Sequence, residues 1–220
     1  MIGAGWSIAD LADTLEEGLR EECARLDVEQ AVHSLDALEE VQLHPLLAGI
    51  FDRSGYGVYR EQRYPADRRK RRESEGERCD LVLTPERRSL NQPDAAATLF
   101  QEPDAVELDE AFWLEVKVVQ QFLMEGANQH YASQLLSTVR RDVTKLSKDP
   151  GILHAGLLIV LFVRDASVFE HDLGIWQDRC LERGLPITAP SRRGFSITDR
   201  LGNAWCGLAL YGVCRSRLVE

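Results

Sequence analysis

The stretch Phe112-Trp113-Leu114-Glu115-Val116-Lys117-Val118-Val119 decides how the rest of the chain is read. It is rich in aromatic and β-branched residues and predicts a strand. Successive side chains of a strand point to opposite faces. Phe112, Leu114, Val116 and Val118 therefore share one face, and all are apolar. Trp113, Glu115, Lys117 and Val119 share the other. A carboxylate and an ammonium thus stand side by side on a strand that otherwise reads as core. Burying either one unpartnered costs several kcal/mol. An ion pair at a sheet edge would relieve that cost, and so would a metal ion with its water ligands.

Upstream, Cys79 to Leu83 is a second short strand, stopped by Pro85 and opened by Asp80. Consecutive strands usually pair, which would bring Asp80 to Glu115 and Lys117. Two carboxylates and a few waters suit Mg²⁺. Val58 to Tyr64 predicts a further strand, ended by Pro65, and the charged run Ala66 to Glu77 a solvated turn or hairpin tip. Pro85 to Glu110 reads as a long excursion between strands.

The flanks complete the order. Ser7 to about Val32 predicts a helix capped by Ser7. A second helix is expected from about Ser34 to Phe51, with Leu35, Leu43, Leu46, Leu47 and Ile50 on one face. Downstream come a helix over Asn128 to Lys148, an apolar run from Leu153 to Val163, a helix over Val168 to Arg183 and a last strand over Ala204 to Val213. The apolar run has the character of a strand buried on both faces. The pattern is an α/β layered domain with one crossover helix between its third and fourth strands.

Composition sets the limits. A chain of 220 residues, 44% hydrophobic, suits one sizeable core, with residues 1–33 as a helical extension and the core over about 34–220. Five cysteines without a C-x-x-C pair argue against a disulfide framework or zinc site. No apolar run is long enough to span a bilayer, and the acidic N-terminal stretch is unlike a secretory signal. A soluble, cytoplasmic protein is expected. With 26 Lys and Arg against 36 Asp and Glu, the net charge is −10, which disfavours indiscriminate binding to nucleic acid. Basic contacts would have to be local. Arg68, Arg69, Lys70, Arg71 and Arg72 form one such cluster, offset by Glu73, Glu75 and Glu77.

Asp80, a connecting segment and then Glu115-Val116-Lys117 resemble the motif of the PD-(D/E)XK nuclease superfamily. The order of elements around them, over roughly Leu35 to Val163, is similar to that family's core. Cys79 stands where the family name has proline, and the insert between the motif strands is long. The resemblance implies a restriction-endonuclease-like three-layer α/β/α core with a central mixed sheet. It implies that Asp80 and Glu115 ligate Mg²⁺ or Mn²⁺, with the Val116 carbonyl as a further ligand. Lys117 would orient or deprotonate the attacking water. The reaction would be hydrolysis of a phosphodiester in nucleic acid, DNA rather than RNA.

Many members of that family carry a Glu on the first core helix. On the expected helix Glu39 falls at the centre of the apolar stripe and Glu40 at its margin, so Glu39 is preferred. Glu61, on the first strand, and Gln134, on the helix after the lysine strand, are accessory candidates. Arg140, Arg141 and Lys145 are candidate phosphate contacts, as are Arg68, Arg69 and Lys70. His44, His130, His154 and His171 show no metal spacing, so core or surface roles are expected for them. No separate recognition domain is visible, which leaves specificity to loops, a homodimer or a protein partner. The alternative is a catalytically inactive binding or scaffold protein on the same fold; a coincidental E-V-K in an unrelated α/β protein is the third possibility.

Overall fold

A computed structural model describes residues 5–69, 76–91, 104–137 and 139–215. In chain order its elements are α1 (Ile8–Val28), α2 (Glu40–Arg53), β1 (Gly57–Arg63), β2 (Arg78–Thr84), β3 (Phe112–Gln120), β4 (Phe122–Leu123), β5 (Gly126–Ala127), α3 (Tyr131–Ser137), α4 (Val139–Lys148), β6 (His154–Val163), α5 (Ala166–Glu182), β7 (Ser191–Ser196) and β8 (Trp205–Val213). Six strands form one mixed sheet in the order β1-β2-β3-β6-β8-β7, and β4 and β5 form a separate small hairpin. β3 and β6 are parallel, as a helical crossover between them requires, and the other pairs of the large sheet are antiparallel.

Each face of the sheet carries its own core. Phe112, Leu114 and Val116 of β3 pack with Leu158, Val160 and Phe162 of β6 against Leu11, Leu15 and Leu19 of α1 and Leu43, Leu47 and Ile50 of α2. Trp113 and Val119 lie on the opposite face with Leu157, Ile159 and Leu161, under Val143 and Leu146 of α4 and Phe169, Leu173 and Trp176 of α5. The alternation read along β3 is therefore real, and the architecture is helix layer, sheet, helix layer. β6 is buried at every position after His154. Each large side chain buried there contributes about 1.5–3 kcal/mol.

The N-terminal helix belongs to this packing. Ser7 caps it, its hydroxyl accepting from the Asp10 amide at 3.2 Å. Leu11, Leu15 and Leu19 recur at four-residue spacing and are fully buried. At Gly18 the helix approaches α2 so closely that a Cβ would sit 2.5 Å from Ile50.

Two helix starts and one missed strand need correction. The second helix starts at Glu40, not near Ser34: Glu39 has an extended ψ of 162° and its amide donates to the Gln42 side chain at 2.9 Å, while Leu35–Ala37 form a short 3-10 turn. The helix expected over Asn128 to Lys148 begins at Tyr131, and its described residues are those of α3 and α4. The run Ala66–Glu77 opens with a 3-10 turn over Pro65–Arg69. β7 was not anticipated, because Ser191-Arg192-Arg193-Gly194-Phe195-Ser196 has no apolar alternation. Its arginines are held by long-range partners: Arg192 by Glu170 (2.6 Å) and Gln177 (2.8 Å), Arg193 by Asp13 (2.5 Å).

Candidate active site in the opening between β2 and β3

Strands β2 and β3 pair only at Leu81↔Leu114, Val82↔Trp113 and Leu83↔Phe112. Continuing that register would set Asp80 opposite Glu115, but there the ladder ends. The Asp80 side chain takes the place of a backbone partner, its Oδ2 accepting from the Val116 amide at 2.8 Å. The N–H and C=O of one strand residue point to the same side, so the Val116 carbonyl also faces this opening. β1 is irregular at the same level. Glu61, with a positive φ of 53°, is skipped in the β1–β2 pairing between Arg60↔Leu81 and Gln62↔Cys79. The sheet parts here, and the charged side chains collect where it parts.

Glu115 is only 3% exposed. Tyr64, buried and stacked on Trp113 with ring centroids 5.9 Å apart, donates its hydroxyl to Glu115 Oε1. Burial and the neighbouring Asp80 charge push the Glu115 carboxyl up to about 9, with the Tyr64 hydrogen bond working the other way. Glu115 and Asp80 are within hydrogen-bonding reach. In the metal-free protein at neutral pH the Glu115 carboxyl therefore holds its proton.

Lys117 lies between the two helix layers. Its Nζ donates to Glu40 Oε1 at 3.1 Å and stands 3.6 Å from Asp142 Oδ2. Burial opposes its charge, but Glu40 and Asp142 outweigh that and hold the ammonium above its ordinary pKa. Glu40 Oε2 also accepts from the Val118 amide at 3.3 Å. The carboxylate on the first core helix that meets the lysine is thus Glu40. Glu39, the preferred candidate, caps the helix instead, and a helical wheel does not apply to a residue outside the helix.

The remaining candidates divide. Glu61 comes close, its Oε1 4.0 Å from His44 Nδ1. Lys145 is engaged by Glu77 (3.2 Å) and Asp142 (3.3 Å), and Arg141 is paired with Glu77, so these two of the cations expected for phosphate contact are already neutralised within the fold. Gln134 is exposed, and its side-chain oxygen accepts from Asn128 at 2.9 Å. The side chains of Arg68, Arg69 and Arg140, and Lys70 to Arg72 altogether, lie outside the described residues.

Three residues of the site were not foreseen. Tyr64 and Asp142 carry no motif and are recognisable only once β3 and α4 are packed. His44, expected in a core or surface role, is 3% exposed and sits with Glu61 and Asp80 so that one ligand atom from each lies within 4.8 Å of the others. Its spacing signal was hidden, since its partners are 17 and 36 residues away in sequence.

Comparison with family models, with curated proteins and with solved structures gave no match. Among the described residues no helix is long and apolar enough to cross a membrane.

Proposed function

We propose that this chain is a divalent-metal-dependent nuclease that hydrolyses phosphodiester bonds in DNA, on a restriction-endonuclease-like core, with the opening between β2 and β3 as its active site. The observation that carries this reading is the convergence of Asp80, Glu115 and Lys117 where the sheet parts. Burial and the adjacent Asp80 hold the Glu115 carboxyl protonated when no cation is present, which leaves a donor set in need of a dication. The oxygens of the two carboxylates, with the Val116 carbonyl, are the hard ligands that Mg²⁺ or Mn²⁺ takes.

The chain's own groups have distinct tasks. The Val116 amide fixes one oxygen of Asp80, and the Tyr64 hydroxyl fixes one oxygen of Glu115. The bound ion would supply the charge that polarises a phosphate and acidifies a water. Lys117 is held as an ammonium by Glu40 and Asp142, so it serves to orient the water and to offset charge developing on the phosphate rather than to remove a proton. A nucleic acid must compete with the internal partners of Lys145 and Arg141, so its backbone contacts would come from other cations, a second copy or a protein partner.

The net charge of −10 favours one other reading, a binding or scaffold protein that kept the fold without the reaction. Incubating linear and circular DNA with the purified chain and Mg²⁺ or Mn²⁺ separates the two. Cleavage that disappears in Lys117→Ala, with the fold retained by circular dichroism, is the expected result. Cleavage unaffected by that substitution overturns the assignment, and absence of both cleavage and metal-binding heat favours the scaffold.

A further inference from the structure

Asp80 faces two ways. Its Oδ2 is bound to the Val116 amide, on the side of Glu115, while its Oδ1 lies 3.9 Å from His44 Nδ1. His44 Nδ1 is also 4.0 Å from Glu61 Oε1. Neither separation is a hydrogen bond. The His44 side chain is only 4% exposed, and its other ring nitrogen, Nε2, is buried with no hydrogen-bond partner among the described residues. A buried ring nitrogen without a partner is costly, and the opposite nitrogen, Nδ1, faces two carboxylate oxygens across gaps that a coordinated cation would fill. Glu61 reaches this point from a backbone conformation that few non-glycine residues adopt.

The charges point the same way. Glu40, Glu61, Asp80, Glu115 and Asp142 surround the opening, against Lys117 and Lys145.

We propose that His44, Glu61 and Asp80 form a second cation position, bridged through Asp80 to the one assigned above to Asp80, Glu115 and the Val116 carbonyl. This rests on the proposed function for the first position only. One imidazole with two carboxylates favours a transition ion, Mn²⁺ or Zn²⁺, over Mg²⁺, whereas the oxygen-only position accepts either. The two positions share Asp80, one drawing its other ligands from α2 and β1, the other from β3.

Titration of the full chain with Mn²⁺, followed by electron paramagnetic resonance, tests this without reference to activity. Two Mn²⁺ per chain are expected, with electron spin echo modulation from a coordinated ¹⁴N. Excess Mg²⁺ should displace only the ion that lacks nitrogen coupling. His44→Ala should bind one ion and lose the ¹⁴N signal, and Glu61→Gln should weaken the nitrogen-coupled ion at least tenfold. Glu115→Gln should lose the other ion and keep the ¹⁴N signal. No nitrogen coupling in the unaltered protein, or a single ion per chain that lacks it, overturns the second position whether or not the variants fold; a single nitrogen-coupled ion overturns the first position instead. If two ions and the coupling are present but Glu115→Gln releases neither, the second position stands and the assigned catalytic position falls.

Discussion

The two sides of β3 are built on opposite principles. Toward β6 it is paired from Phe112↔His154 to Gln120↔Phe162, and β6 is paired in turn with β8 from Ala155↔Val213 to Val163↔Trp205. Almost every side chain there is apolar and buried. Toward β2 the pairing stops at Leu114, and the backbone groups beyond it are answered by the carboxylates of Asp80 and Glu40. One side supplies stability through burial. The other concentrates buried charge, which is a net cost unless something binds. Stability and function should therefore separate cleanly by mutation across this one strand.

The largest effect on function is expected at Lys117. Lys117→Ala should lower DNA cleavage by about 10³-fold or more, since it removes the ammonium that Glu40 and Asp142 hold at the opening, while its melting curve stays cooperative. The largest effect on stability is expected on the paired side. Leu158→Ala empties a fully buried position and should cost about 2–5 kcal/mol in urea unfolding, with metal affinity unchanged. Loss of metal binding in Leu158→Ala at temperatures where it remains folded would break the comparison.

Glu115→Gln sharpens it, because the two readouts should move in opposite directions. The folded carboxyl titrates near 9, against an ordinary value of 4.5. With the folded value raised, this group's contribution to stability is fully present below pH 4.5 and is lost as pH rises to about 9. The amide keeps the hydrogen bonds to Tyr64 and Asp80 without the charge. The variant should be more stable than the parent by about 1–3 kcal/mol at pH 8 and equal to it near pH 4, and it should lose Mg²⁺-dependent cleavage. A difference that does not grow between pH 5 and pH 8 would show that the Glu115 carboxyl is ionised in the fold. The smallest effect is expected at the exposed rim, where Arg141→Ala breaks its pair with Glu77 and should shift the melting temperature by less than about 2 °C in differential scanning calorimetry.

What the sequence made legible follows the same division. Local periodicity was enough for β3, β6 and β8, because burial on one or both faces writes itself into every residue. It also exposed Glu115 and Lys117, as charges out of place in an apolar strand, and strand adjacency joined Asp80 to them. It failed where the decisive partner is distant. The wheel that favoured Glu39 assumed a helix running back to Ser34, but the Gln42 side chain caps that helix at Glu39 and hands the site to Glu40. Tyr64 stood at the end of an expected strand, Asp142 carried no signal of its own, and His44 was expected in a core or surface role. Each takes its role from a contact across dozens of residues. β7 was missed for a related reason, since its arginines are tied to Asp13 and Glu170 rather than to an alternating pattern.

The central claim is that the opening beside β3 holds a divalent cation. Crystals of the protein soaked in Mn²⁺, with data collected at an energy where manganese scatters anomalously, test it most directly. The expected result is a peak about 2.1–2.3 Å from oxygens of both Asp80 and Glu115, with the Val116 carbonyl at similar distance. Full-occupancy Mn²⁺ elsewhere with none between Asp80 and Glu115, or those two carboxylates still hydrogen-bonded to each other in saturating Mn²⁺, would contradict it.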